Sequence, residues 1–321
     1  MWRSAGARRS DRLLLLGYHN IESTWRWPAR PGVGRRRFAG HVRALSRFAN
    51  VLPLDSAVAD LQAGRALPER AVAITFDDGY RDNLDVAVPI LAAAGAPATV
   101  FLVPGFLSGT VVPWWEYLAH AVHTTRRPVL PFRGRELSLD GARARAGALA
   151  VVEEAVKELD DRTRQDEVRS VVERLEPPEE FDHRALFLDW DGAAGLVDAG
   201  IGIGSHTTSH SILSREHPAE QASDLLHSRF ELMNVLGTTV DGLAYPNGTR
   251  ADYDRHSIDG ARSAGHRYAV TTTPGPSDGT TPRFELRRRL VLSTQPVERF
   301  VARLARDLMQ DIAEADRRVR A

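Results

Sequence analysis

The 321-residue chain contains no cysteine. Disulfides, thiolate metal sites and cysteine nucleophiles are therefore excluded, while the compartment stays open, because exported and cytosolic proteins alike can lack the residue. Net charge is also missing, with 42 basic residues balanced by 42 acidic ones. No overall field draws the chain to nucleic acid or an anionic membrane, so neither is an expected partner. Lysine is almost absent, and Lys157 is the single one. Long apolar runs are lacking too: nothing approaches the ~20 residues of a transmembrane segment. Arg3, Arg8 and Arg9 ahead of Leu13–Leu16 imitate an export signal. That run is shorter than the roughly 7–15 residues such a signal needs. No small-residue cleavage site follows before Gly17-Tyr18-His19-Asn20. The expectation is a soluble, cytoplasmic protein whose Leu13–Tyr18 segment is a first buried strand.

What is present is ordinary globular material, 43% hydrophobic and 26% charged, enough for a sizeable core. Phe38, Val42, Leu45 and Phe48 fall on one face of a helix. Ala71–Phe76 reads as a buried strand, Asn83–Ala94 as a helix closed by Gly95, and residues 98–103 as the next strand. This strand–helix–strand grammar belongs to an α/β sheet or barrel. Residues of about 111–185 interrupt it. Trp114–Tyr117 opens a helix, a Pro/Arg/Gly segment follows, and Gly141–Leu175 reads as charged and helical. We expect a helical insertion within one domain spanning 1–321. The rhythm resumes with a helix at Trp190–Ala199, a strand near Ile201–Gly204 and a helix over Ala219–Leu236 that wets Glu220, Asp224 and Glu231. Strands at Leu243–Tyr245 and Tyr268–Thr272 precede a closing helix, Pro296–Ala315. The N-terminal arginines and the tail 316–321 are expected to be mobile.

Two clusters carry chemistry. Asp77 and Asp78 end a strand just before Gly79, the edge at which parallel α/β folds build sites. Two adjacent carboxylates in different environments suit two jobs, one bound to a metal and one acting as base. Asp-Asp-Gly is equally ordinary turn chemistry. His206 and His210 follow the strand at Ile201–Gly204. Two imidazoles with a carboxylate make a catalytic zinc set with a position left open. Thr207-Thr208-Ser209 between them offers hydroxyls for supporting hydrogen bonds. Two unrelated loop histidines would look the same in a chain with 11 of them. Both clusters end strands, so both can face one mouth of a barrel.

Thr75-Phe76-Asp77-Asp78-Gly79-Tyr80 and Gly204-Ser205-His206-Thr207-Thr208-Ser209-His210 resemble the first two motifs of the polysaccharide deacetylases, the NodB homology domain of carbohydrate esterase family four. Leu243-Ala244-Tyr245-Pro246-Asn247-Gly248 resembles the third motif of its Ala-Tyr-Pro branch. The resemblance runs from about Leu13 to about Leu292 and is thinnest over the insertion. It implies a distorted, incomplete (β/α) TIM-like barrel, one divalent metal ion, zinc or similar, and an acetylated glycan as substrate. It further implies hydrolysis of N-acetyl groups, with Asp77 as base and Asp78, His206 and His210 as metal ligands. Backbone at Asn247 matches the family's oxyanion donor, and Tyr245 and Pro246 either line a sugar subsite or simply pack. An O-acetyl esterase and a catalytically silent carbohydrate-binding protein are the alternatives.

Two departures shape the remaining expectations. The family's third-motif Arg, which orients the catalytic Asp, is Ala244 here, and its late histidine is not visible near Leu286–Leu290. Arg288 is our substitute, because a guanidinium fork can hold a carboxylate from another strand. Arg287 and Arg289 read as solvated. The leaving-group acid falls to His19, at the end of the first strand, where a structural histidine is the competing reading. Trp114 either stacks on a sugar or packs in a core. Trp190 reads as core or helix cap.

Overall fold

The computed structural model describes residues 9–22, 28–293 and 295–319, with backbone alone at residue 9 and for 309–319. The expected mobile N-terminal arginines Arg3 and Arg8 lie outside that range, and so do positions 320–321 of the tail. Strands β1 (Arg12–Tyr18), β2 (Ala71–Phe76) and β3 (Ala98–Leu102) come first. A hairpin, β4 (Val129–Phe132) and β5 (Arg135–Ser138), lies within the insertion. The main sheet continues with β6 (Gly202–Ser205), β7 (Gly242–Ala244), β8 (Tyr268–Val270) and β9 (Arg288–Leu290). It runs β8–β7–β6–β3–β2–β1, all parallel, and β9 adds in parallel to the far side of β1. Leu286, two residues before β9, exchanges backbone hydrogen bonds with Ala269 and Thr271 beside β8. One segment thus reaches both ends of the sheet, and the barrel nearly closes.

Period-two alternation decides what faces inward. Leu13 and Leu15 of β1, Ala73 of β2, Phe101 of β3 and Val270 of β8 fill the barrel. Leu14, Leu16, Val72, Ile74, Val100 and Ile203 point outward, under the helices. Those include α1 (Arg35–Phe48), α2 (Leu54–Gln62) and α3 (Val88–Ala94). The same alternation turns Thr75, and beyond it Asp77, into the barrel's C-terminal mouth.

The insertion contains α4 (Trp114–Thr124), α5 (Gly141–Lys157) and α6 (Asp161–Leu175). It has its own apolar core of Trp114, Leu118, Leu130, Val152, Val168 and Leu175, among others. After it come α7 (Trp190–Asp198), α8 (Pro218–Leu236), α9 (Arg255–Ser263) and α10 (Val297–Val319). Trp190 packs on the barrel's outer core, and Asp189 supplies the α7 cap.

Several expectations change. Phe48, the last residue of α1, is exposed and falls off the buried face. The 141–175 helix breaks at Glu158–Asp160, where Asp160 caps a new helix by accepting from the Thr163 amide. The Pro/Arg/Gly segment is partly a hairpin, because Leu130, Phe132 and Leu137 bury one face of two short strands. Residues 316–319 of the expected mobile tail continue α10. Arg289 is not solvated: its guanidinium meets Asp307 of α10 at 2.8 and 2.5 Å. Arg287 is exposed, as expected.

Candidate active site

Arg288 reaches inward from β9 and is fully buried. Its two terminal nitrogens donate to the two oxygens of Asp77 at 2.6 and 2.7 Å. The same guanidinium donates to Thr75 Oγ1 at 3.2 Å, whose hydroxyl is in turn held by the Leu16 carbonyl. Gly17 makes room for this arm, since a Cβ there would lie 3.2 Å from the Arg288 Cδ and 2.7 Å from Leu290. Burial would raise the Asp77 carboxyl; the positive charge of Arg288, with help from His206 and His19, overrides it and holds the group at about 2. Asp77 is therefore ionised at any ordinary pH.

Asp78 turns the other way. It has φ +71° and is followed by Gly79 at φ +77°, two left-handed residues that swing the second carboxylate back over the mouth. Asp78 Oδ1 lies 3.5 Å from Nε2 of both His206 and His210. Four ligands at zinc distances sit roughly 3.3 Å apart in a tetrahedron, so the spacing fits one ion. Asp78 Oδ1 and His210 Nδ1 are buried with no hydrogen-bond partner, and His206 Nδ1 meets the Ala244 carbonyl at 2.7 Å. That last contact places the proton on Nδ1 and frees Nε2 as a ligand. Burial, followed by the charges of Asp77 and Glu116, drives Asp78 well above the carboxylate range. Burial also lowers both imidazoles, which keeps them neutral. A buried carboxylate that would resist ionisation beside two neutral imidazoles is the donor set a divalent cation satisfies.

The loop carrying the histidines is strained and braced. Thr207 and His210 take φ +65° and +58°, and Asn247 across the mouth takes +58°. With Asp78, these make four of the seven non-glycine residues at positive φ among those described, and such strain gathers where surrounding contacts over-determine the chain. Asp224 accepts from the Thr208 amide and the Ser211 hydroxyl, both at 2.5 Å. Asp224 was expected on a wet face; it points instead into this loop. Ser209 donates to Asp161 of α6 at 2.9 Å. The expected linker hydroxyls are engaged, holding the loop to its neighbours.

His19 lines the same mouth, with Nε2 3.9 Å from Asp77 Oδ2. Burial, opposed by Asp77 and reinforced by Arg288, lowers it to about 4, so it rests as neutral imidazole. Tyr245 and Asn247 also line the cavity. The Tyr245 ring stacks on Tyr253 at 4.3 Å. Pro246 is buried and is not among the residues that line the cavity. Trp114 lies in the insertion core and also lines the cavity.

A second tier of residues stands behind these and leaves little mark in the sequence. Trp115, not Trp114, packs on His210, with ring centroids 4.5 Å apart. Its indole donates to the Tyr80 hydroxyl at 3.1 Å, and that hydroxyl donates to the fully buried Glu116 at 2.9 Å. Tyr80 follows the Asp-Asp-Gly motif directly, while Glu116 belongs to α4, so the insertion is wired to the loops that carry Asp78 and His210. The motif's own Tyr and the aromatic pair at 114–115 were the signals available.

The model of the polysaccharide deacetylase family matches residues 64–136 and 145–269, more than half the chain. A provisionally named polysaccharide deacetylase, YxkH of Bacillus subtilis (strain 168), is 23% identical over 281 residues, covering 86% of this chain and 70% of that protein. The Streptococcus pyogenes deacetylase PplD, solved with acetate, superposes with TM-score 0.61 at 16% identity, covering 91% and 97% of the two chains. The deacetylase domain of Bordetella bronchiseptica BpsB gives 0.57 at 18% identity, covering 89% and 98%. At these identities the two structures speak for the fold. The described residues contain no helix long and apolar enough to cross a membrane.

Proposed function

The chain belongs to the polysaccharide deacetylase family, and from that membership we propose that it removes N-acetyl groups from the amino sugars of a poly- or oligosaccharide, using one zinc ion. The observation that carries this reading is the pairing of a buried Asp78–His206–His210 triangle with an Asp77 locked by Arg288 at one cavity. Family membership makes the chain a hydrolase of non-peptide carbon–nitrogen bonds; the residue roles are ours.

Asp78, His206 and His210 would hold the ion, and when bound it would polarise the acetyl carbonyl and make water a better nucleophile. Asp77 takes a proton from the attacking water. Its low basicity favours an ionised carboxylate over a strong base, and Arg288 fixes its direction. Water oxygen bonds to the carbonyl carbon, the carbon–nitrogen bond breaks, and acetate and a free amine leave. His19, neutral at rest and 3.9 Å from Asp77, relays the proton to the departing nitrogen. Backbone at Asn247, with the Tyr245 side of the mouth, stabilises the developing oxyanion. We further propose that the whole chain is one domain, with the insertion completing the site.

Acetate release from matched N-acetylated and O-acetylated oligosaccharides, with zinc-loaded protein and its Asp77→Asn variant, tests the reading. Acetate from N-acetylated substrates by wild type alone supports it. Release from O-acetylated substrates only would make the protein an esterase, and binding of both with release from neither would make it a lectin-like relative.

A further inference from the structure

Part of the cavity lining does not come from the barrel. Arg30 enters from the segment after β1, and Glu153 and Lys157 enter from α5 of the insertion. Asp77 is matched by Arg288, and Asp78 belongs to the candidate ligand triangle. Two cations and one carboxylate then remain to face whatever sugar binds. Neither cation closes an ion pair among the described residues. Glu153 is raised by burial and drawn back by Arg30 and Lys157 together, so one carboxylate is shared between two positive charges.

The wider groove leading outward, about 650 Å³, adjoins this lining. Of its three acids, Glu158 holds Arg215 at 2.8 Å and Asp252 accepts from the Thr249 amide at 2.8 Å, while Glu154 is exposed on α5, three positions before Lys157. Arg30 and Lys157 line both the groove and the inner cavity, where the two meet. Lys157 is also the only lysine of the sequence, in a chain that otherwise uses arginine for its basic positions. A compact ammonium on a flexible stem, beside a planar guanidinium, suits an oxyanion approaching from a cleft that concentrates their field.

We propose that Arg30 and Lys157 form a subsite for an anionic substituent, a carboxylate or a phosphate, on the glycan, so that an acidic glycan is preferred over a neutral one. This rests on the deacetylase reading and adds the substrate class to it. The two cations lie beside the reacting mouth, so the anion is carried on the acetylated sugar or its direct neighbour.

The test compares zinc-loaded wild type, Lys157→Met and Lys157→Arg on three tetrasaccharides. One is the neutral β-1,4-linked N-acetylglucosamine tetramer, one the hyaluronan tetramer with its glucuronates, and one the neutral tetramer phosphorylated at O6. We expect KM for at least one acidic tetramer about fivefold to tenfold below that of the neutral one, as a partly desolvated charged contact supplies. Lys157→Met should remove that gap, Lys157→Arg should largely restore it, and added salt should raise KM for the acidic tetramer alone. The hyaluronan and phosphorylated arms separate carboxylate from phosphate. Equal KM values for neutral and acidic tetramers, or a gap that survives Lys157→Met, would overturn the proposal while the deacetylase reading stands. Calorimetric binding of the same tetramers decides the charge preference even for protein that releases no acetate from any of them. That last result would count against the hydrolase reading and leave this one to be judged on binding.

Discussion

Arg288 and Asp77, 211 residues apart in sequence, meet through two parallel hydrogen bonds inside the barrel, with neither side chain more than 3% exposed. The arginine comes from the strand that all but closes the sheet, so the same segment that completes the fold also fixes the proposed base. Such a fork sets both the direction and the charge of the carboxylate.

Arg288→Ala leaves the Asp77 charge buried and unpaired, which typically costs about 3–5 kcal/mol. The sign of the pH effect follows from the balance at Asp77. Arg288 outweighs burial and holds the group at about 2; without it burial raises the group, and a base works only above its own pKa. The acidic limb of the kcat profile should therefore move to higher pH, and kcat should fall, with metal content unchanged. Arg288→Lys should restore part of the charge without the fork. An acidic limb at the same pH in wild type and Arg288→Ala would dissociate the two residues functionally.

Metal content separates ligand from base. Purified protein should bind about one zinc per chain, and His206→Ala with His210→Ala should abolish that. Asp78→Asn should weaken it, because an anionic ligand is lost. Asp77→Asn should keep the ion and lose turnover. Elemental analysis alongside acetate release reads both, and full occupancy in the double histidine variant would remove those residues as ligands.

The parts legible in the sequence were those written contiguously. Asp77-Asp78-Gly79 and His206 to His210 each lie within one turn of chain, so their motif survives without a fold. Arg288 became legible for a different reason: with Ala244 where an arginine was expected, a carboxylate in the barrel needed another partner. The bracing groups could not be read this way. Asp224 serves residues 13 and 16 positions earlier in the chain, and on a helical wheel it sits with solvated acids. Glu116 lies 36 residues from Tyr80 and looks like any first-turn acid of a helix. Arg289 looks solvated in the sequence because its partner, Asp307, lies on a helix that only tertiary packing brings near. Long-range polar pairs leave no periodic signal, whereas apolar alternation does.

The insertion should matter to the metal as well as to the glycan. Tyr80→Phe removes the hydroxyl that joins Trp115 to Glu116, leaving a buried acceptor and an indole N–H without their shared partner. Groups hydrogen-bonded directly to a metal ligand commonly change its affinity by about 10–100-fold, and Tyr80 acts one contact further out, through Trp115 against His210. We expect Tyr80→Phe to weaken zinc binding by about tenfold in a chelator competition, with a smaller effect from Ser209→Ala at the α6 contact. Zinc affinity equal to wild type in the Tyr80→Phe and Ser209→Ala double variant would show the insertion to be a cover alone.

The loop that carries His19 is held by a carboxylate with its own pH signature. Asp82 Oδ2 accepts from the Ile21 and Glu22 amides at 2.7 and 2.6 Å, and the neighbouring Asn83 donates to the His19 carbonyl at 2.8 Å. Burial pushes Asp82 up to about 7, against the pull of those two amides. The unfolded chain ionises this group near 4. Between the two values the folded protein holds the extra proton, so stability from this group is full below about 4 and is lost as pH rises through about 7. The loss amounts to a few kcal/mol, on the order of 1.4 per unit of separation. Asp82→Asn keeps an oxygen for the two amides and removes the titration. Its stability relative to wild type should therefore climb from pH 4 to pH 7, as bounded by these two ionisations, and level off above. Urea unfolding of both proteins across that range measures the difference directly. A difference that stays constant with pH would mean that Asp82 ionises as an ordinary carboxylate and that the loop is held by its geometry alone.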